Sequence, residues 1–427
     1  MDSTREEEMI HSTRLPNGVL VYTEEMPGVE SVAVGFWADA GSADEGEGEF
    51  GLAHFLEHMI FKGTGKRSAY QLAEEMEDVG GQINAYTERE LMHVYARALA
   101  EHLPVTVELL GDMICRSAFP SDEMERERQV IVEEIRKYEA LPEERIHDLI
   151  MESLWQGGGL GHSILGSVES VRGLTRDDLV SCWRRHFGAD RVVLTGVGKL
   201  RHEEFVELAA AAFADLPEPP ALRLLQPEGR RIPRIVIEED EEQVNFCWGG
   251  YSYPAGDDRN FPLAILDAIF GASATSRLFQ EIREKRGLAY DIATEAIGFR
   301  ETGVFYTTGA ANPENFPQVM ALVRSEVESL RRQGITDREL ARAKEQMKSG
   351  LAMAQESSLE RMRRLATHYF TWGEIYPLRY LIQRLDQVTR DEVMQIITEV
   401  LDPDRWSFAA IGPVAETDAL SFLSAAG

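Results

Sequence analysis

The sequence predicts an α+β protein of two homologous lobes, each a β-sheet packed with helices. Three observations carry this reading. The chain has 427 residues, enough for two to three domains at about 150 residues each. A proline-rich stretch, DLPEPPALRLLQPEG, lacks periodicity and lies near the midpoint. The segments before and after that stretch resemble each other in order, so the division expected is 1–216, a linker at 217–229, and 230–427.

The repeat can be followed element by element. Strand-like VAVGFWADAGS precedes a helix containing GLAHFLEHMIF, and VNFCWGGYSYPAG precedes PLAILDAIFG. YQLAEEMEDVGGQINAYT is matched by SRLFQEIREKRGLAYDIAT, with Gly81 opposite Gly287. MHVYARAL is matched by GVFYTTGA, and the helix SDEMERERQVIVEEI by TDRELARAKEQMKSG. The period is too long for a solenoid.

Composition narrows the function. Hydrophobic residues make up 44 % and charged residues 27 %, which excludes wholesale disorder. A net charge of −29 opposes nucleic-acid binding and attachment to anionic membranes. It serves solubility, or an acidic interior that attracts basic peptides. Cys115, Cys182 and Cys247 lie far apart, with no disulfide framework and no CxxC pair. The opening MDSTREEEMI lacks a basic-then-apolar pattern, and no run of about 18 apolar residues occurs. A cytoplasmic location is therefore expected.

The chemistry is confined to the first copy. His54, Glu57 and His58 form H-x-x-E-H, whereas alignment through the shared Leu-Ala places Ile265, Ala268 and Ile269 at those positions. The fold itself therefore does not require the polar residues. On a helix, His54 and His58 at i and i+4 present their rings on one face, a spacing that can hold one zinc ion. Glu57, one turn from His54, is placed to take and return a proton of a water that the metal acidifies. A third ligand is expected from the helix around 125–139. There Val130 and Ile131 mark an apolar stripe that also carries Glu127 and Glu134, while Glu133 is turned away toward solvent.

GLAHFLEHMIFKGT, with Glu134 downstream in RERQVIVEEI, resembles the inverzincin metallopeptidases. Within them it is similar to the pitrilysin family, in the branch of mitochondrial processing peptidase and its bacterial relatives. The likeness covers essentially the whole chain and implies a clamshell of an active and a degenerate lobe. It implies His54, His58 and Glu134 as ligands of one Zn2+, Glu57 as general base and Glu127 as their support. GGQINAYT resembles the family segment that pairs with an extended peptide, which implies Asn84, Ala85 and Tyr86 as substrate contacts. Arg283 and Tyr290 in REKRGLAY match a family arginine and tyrosine that reach the substrate. WQGGGLGHSILG is glycine-rich but has no Walker lysine, so it does not read as a nucleotide loop.

The resulting expectation is a zinc endopeptidase acting on unfolded or short, basic peptides. Both residue sets lie on one chain, which favours a self-sufficient homodimer. The rivals are a non-catalytic scaffold of the same fold and an active subunit that needs a heterologous partner.

Overall fold

A computed structural model of the chain describes residues 9–156, 159–216, 232–238 and 240–414. The expected linker, 217–229, lies outside them. The described residues fall into two compact units. One draws on 1–137, 158–227 and 353–377, the other on 138–157, 228–352 and 378–427.

The first unit is built on a six-stranded sheet. Its strands are β1 (Ile10–Arg14), β2 (Leu20–Glu25), β3 (Ser31–Ala38), β4 (Gln82–Thr87), β5 (Met92–Leu99) and β6 (Val192–Gly198), in the order β1-β2-β6-β3-β5-β4. Only β2 and β6 pair in parallel. The second unit has β7 (Arg234–Ile237), β8 (Val244–Ser252), β9 (Ala289–Gly298), β10 (Gly303–Ala311) and β11 (Ser407–Gly412), in the order β7-β11-β8-β10-β9. Its parallel pair is β7 and β11. Without β1 the two orders coincide, so the sequence repeat is a repeat of topology.

Helices complete each copy. In the first half of the chain they are α1 (Leu52–Met59), α2 (Ala69–Asp78), α3 (Leu103–Arg116), α4 (Ser121–Glu139), α5 (Pro142–Leu154), α6 (Val168–Gly173), α7 (Arg176–His186) and α8 (His202–Ala212). In the second half they are α9 (Asn260–Phe270), α10 (Phe316–Gln333), α11 (Asp337–Ala354), α12 (Ser358–Trp372), α13 (Leu378–Gln387) and α14 (Arg390–Val400).

Two of these helices cross the division expected at the linker. Helix α5 comes from the first half of the chain but packs on β11, β8 and β7. Helix α12 comes from the second half but packs on β6, β3 and β2. Each follows the long helix of its own copy, so the exchange is reciprocal.

The exchange explains why β3 and β6 are buried on both faces. Val32, Val34 and Phe36 face one core, together with Leu52, Phe55 and Leu56 of α1. Ala33 and Trp37 face the other way, against Met362, Leu365 and Ala366 of α12. Gly35 leaves room for the Trp37–Thr195 hydrogen bond on this face, since a Cβ there would lie 2.4 Å from Trp37 Nε1 and 2.7 Å from Thr195 Oγ1. Full burial of each large apolar side chain stabilises by roughly 1.5–3 kcal/mol. Polar contacts fix the register of α12: Glu24, 1 % exposed, accepts from Arg361 and, at 3.1 Å, from Arg364.

Candidate metal centre

Helix α1 forms where the sequence places Leu52, Ala53, Phe55, Leu56 and Met59 on a buried face. It starts at Gly51, whose φ of 89° lies in the left-handed region that glycine tolerates. It packs on β4 and α7. His54 and His58 then project one turn apart, with ring centroids 4.7 Å from each other and the planes at 71°.

Helix α4 supplies the facing carboxylates. Its buried side is Met124, Glu127, Arg128, Ile131, Val132 and Ile135. Val130, expected on that stripe, is half exposed, because at about 100° per residue it falls roughly 130° from the centre of the face formed by Arg128, Ile131 and Ile135. Glu133 is exposed, as expected, and it pairs with Arg136. Glu134 remains at the margin of the stripe, and its carboxylate oxygen lies 3.8 Å from His54 Nε2 and 3.5 Å from His58 Nε2.

These spacings fit a tetrahedral cation. Ligand atoms about 2 Å from a common centre stand about 3.3 Å apart. One atom from each of His54, His58 and Glu134 lies within 4.8 Å of the others, the one such group of three among the described residues. Two imidazoles and one carboxylate are a donor set typical of catalytic zinc, with room for water. The residues present therefore fit the metal.

Neighbouring groups orient the set. His58 Nδ1 donates to Glu127 at 3.0 Å, which leaves Nε2 with its lone pair toward Glu134. The other Glu127 oxygen is 2.7 Å from Lys62. Burial works to raise the Glu127 pKa, but Lys62 and His58 outweigh it and hold the carboxyl low. Glu134 is also held low, first by His58 and against the effect of burial. For His58, burial acts to lower the pKa, but Glu134 and Glu127 raise it overall. His54 is pushed down to about 4 by burial and then by His58, so near neutrality it is an uncharged donor. Burial raises the pKa of Glu57, while hydrogen bonds from the Thr87 hydroxyl and backbone N–H oppose the shift.

The remaining expected residues divide by unit. Asn84, Ala85 and Tyr86 lie on β4, an edge strand paired only with β5. Asn84 and Tyr86 are exposed, whereas Ala85 is buried. The Ala85 N–H donates to the Asn84 side chain at 2.9 Å, and Asn84 donates to the Tyr86 hydroxyl at 3.1 Å. In the second unit, the Arg283 guanidinium sits 4.5 Å from the Tyr290 ring centroid and 4.7 Å from that of Phe279. Arg283 belongs to a π-helical turn, Phe279–Glu284, and Tyr290 is 77 % exposed. The sequence reading missed Lys62 and Thr87. Their one signal was position, one turn past the H-x-x-E-H motif and at the end of the NAYT segment.

The described insulinase domain (peptidase family M16) matches residues 20–168, and the peptidase M16 inactive domain matches 173–347. An uncharacterized zinc protease of Streptomyces coelicolor is 33 % identical over 418 residues, covering 96 % of this chain and 91 % of the relative. The chain belongs to peptidase family M16. The uncharacterized zinc protease YmxG of Bacillus subtilis is 31 % identical over 95 % of this M16 chain and 98 % of its own.

Solved structures agree on the fold. A peptidase M16 inactive domain from Pseudomonas fluorescens superposes with a TM-score of 0.88 at 19 % identity, covering 95 % of this chain and 98 % of that one. A protease from Helicobacter pylori gives 0.87 at 19 % identity, covering 94 % and 99 %. The first family match lies within the first copy and holds the H-x-x-E-H motif, whereas the second begins at 173, inside the first copy, and runs on to 347 in the second. Among the described residues no helix is long and apolar enough to cross a membrane. Cys115, Cys182 and Cys247 are free and buried.

Proposed function

We propose that this M16 protein is a zinc-dependent endopeptidase for short or unfolded peptides. The observation that carries the reading is the convergence of His54, His58 and Glu134 beside the half-buried Glu57. His54 Nε2, His58 Nε2 and a Glu134 oxygen would hold the metal. Zinc bound there would polarise a peptide carbonyl and acidify water.

The protein's own groups do the rest. Glu57 takes a proton from the attacking water and delivers it to the leaving amine. Its partial burial suits the first step, because a raised pKa makes the carboxylate a better base. The free edge of β4 can take an extended peptide as an added strand, with Asn84 releasing the Ala85 N–H to a substrate carbonyl. Arg283 and Tyr290 are assigned to the substrate by the same reading, Tyr290 as an oxyanion donor. The net charge of −29 supports a preference for basic peptides. The presence of all these residues on one chain supports a homodimer.

The test is metal analysis with peptide cleavage by the purified chain. About one zinc per chain is expected, with cleavage lost to a chelator and restored by zinc. Cleavage of Arg-rich peptides should weaken with salt more than cleavage of neutral ones. A chain that holds no zinc, or cleaves nothing when loaded, is a scaffold of the same fold.

A further inference from the structure

The glycine-rich run WQGGGLGHSILG is left without a role by the site just described. Its residues from Gly159 onward belong to the first unit. His162, within it, donates from Nε2 to Glu45 at 2.9 Å, and its ring stacks on Phe50 at 4.2 Å. Glu45 is 1 % exposed and uses both oxygens. Oε2 also accepts from the Gly51 N–H at 2.9 Å, and Oε1 accepts from the Ala53 N–H at 2.7 Å. Those two groups open helix α1, immediately before His54. No capping side chain comes from Gly51 itself, so Glu45 supplies the cap from six residues upstream.

Backbone packing fixes the same junction. A Cβ on Gly51 would lie 2.5 Å from the Leu165 carbonyl oxygen, and one on Gly166 would lie 2.4 Å from that of Phe50. Only glycine allows the two segments to touch in this way, and both adopt positive φ. The assembly also reaches the turn after β4. Arg89 donates to the Leu160 carbonyl at 3.1 Å, and the Ala43 N–H donates to the Arg89 carbonyl at 2.7 Å.

We propose that Glu45 and His162 are positioning residues that clamp the N-terminus of α1, so that His54 and Glu57 are held in register with Glu134. The inference rests on the metal-site reading above. His162 orients the Glu45 carboxylate, and the carboxylate fixes the first turn of the helix through two backbone N–H groups. Gly166 of the run serves this docking. A ligand one turn long has little tolerance for fraying of the turn that carries it.

The test uses the full chain with Glu45→Gln, His162→Leu and His162→Gln. Glutamine at 45 has one acceptor oxygen, so it cannot serve both N–H groups. At 162 glutamine keeps an N–H donor and leucine does not. In the metal-free chain, hydrogen exchange at Gly51 and Ala53 should quicken at least about tenfold in Glu45→Gln and His162→Leu, with α3 unchanged. Zinc affinity, read by competition with a chromophoric chelator, should weaken about 10- to 100-fold in both. His162→Gln should return both readouts to within a few-fold of the parent. Should Glu45→Gln fail to fold, His162→Leu decides, because it leaves the carboxylate in place. Folded variants with parental zinc affinity overturn the proposal, even if they melt earlier. A parent that binds no zinc refutes the metal reading instead, and parental exchange at Gly51 and Ala53 then refutes the clamp independently.

Discussion

The two units share one strand order but use it for opposite ends. In the first, α1 presents His54, Glu57 and His58 beside α4. In the second, the matching helix α9 presents Ile265, Ala268 and Ile269, and both isoleucines are almost fully buried. Apolar side chains are the low-cost occupants of these positions, because they need no partner. The first unit accepts a cost there: burial drives His54 down to about 4 and raises Glu57. The difference teaches that the polar set is tolerated by the fold rather than demanded by it, which is what a functional site looks like.

Substitution of the first unit's ligands gives the largest expected effect. His54→Ala, His58→Ala or Glu134→Ala should each abolish zinc binding and reduce peptide cleavage to background. Metal analysis beside an assay checks this. Retention of a full zinc equivalent by all three would remove the asymmetry between the units.

The second unit should contribute less, though measurably. Tyr290→Phe removes one hydroxyl, and loss of one oxyanion donor costs on the order of a hundredfold in turnover. Zinc content and melting temperature should stay near the parent's. A variant with parental kcat would make the second unit a purely structural half.

A smaller effect concerns stability. Where the first copy has the core residue Leu56, the second has Asp267, hydrogen-bonded by the Thr294 hydroxyl at 2.6 Å. Burial raises its pKa from 3.8 to about 7. Between those values the folded chain keeps a proton that the unfolded chain has released. Stability from this group is therefore fully present below pH 3.8 and falls as pH rises toward 7, by at most about 1.4 kcal/mol per pH unit. Asp267→Asn should flatten that decline. Melting curves of parent and variant at pH 5 and pH 8 measure it, and identical pH dependence would show that Asp267 is ionised throughout.

Much of the fold was legible in the sequence because the repeat is local in character. Each matched pair of segments carries its own periodicity, but the strand order was not legible, because β6 pairs with β2 and β3, and β11 with β7 and β8, across long stretches of chain. The exchange of α5 and α12 was not legible. Both helices are amphipathic, and an apolar stripe such as Met362, Leu365 and Ala366 states that a face is buried without stating against which sheet.

The site shows the same division. His54 and His58 were found through helical spacing, whereas the stripe on α4 offered both Glu127 and Glu134, and the family resemblance chose Glu134 as the ligand. Val130 misled, because an apolar residue beside Ile131 need not share its face. Lys62, Thr87, Glu45 and His162 act through loop and strand-end contacts, which have no period to betray them.

The central claim is that the first unit holds a metal and that Glu57 moves the proton. Glu57→Gln tests it most directly, since the amide keeps the shape of the side chain but cannot accept the proton. Zinc content should match the parent's, while kcat falls about 10²- to 10⁴-fold. A zinc-loaded Glu57→Gln chain that cleaves peptides at the parental rate would contradict the account.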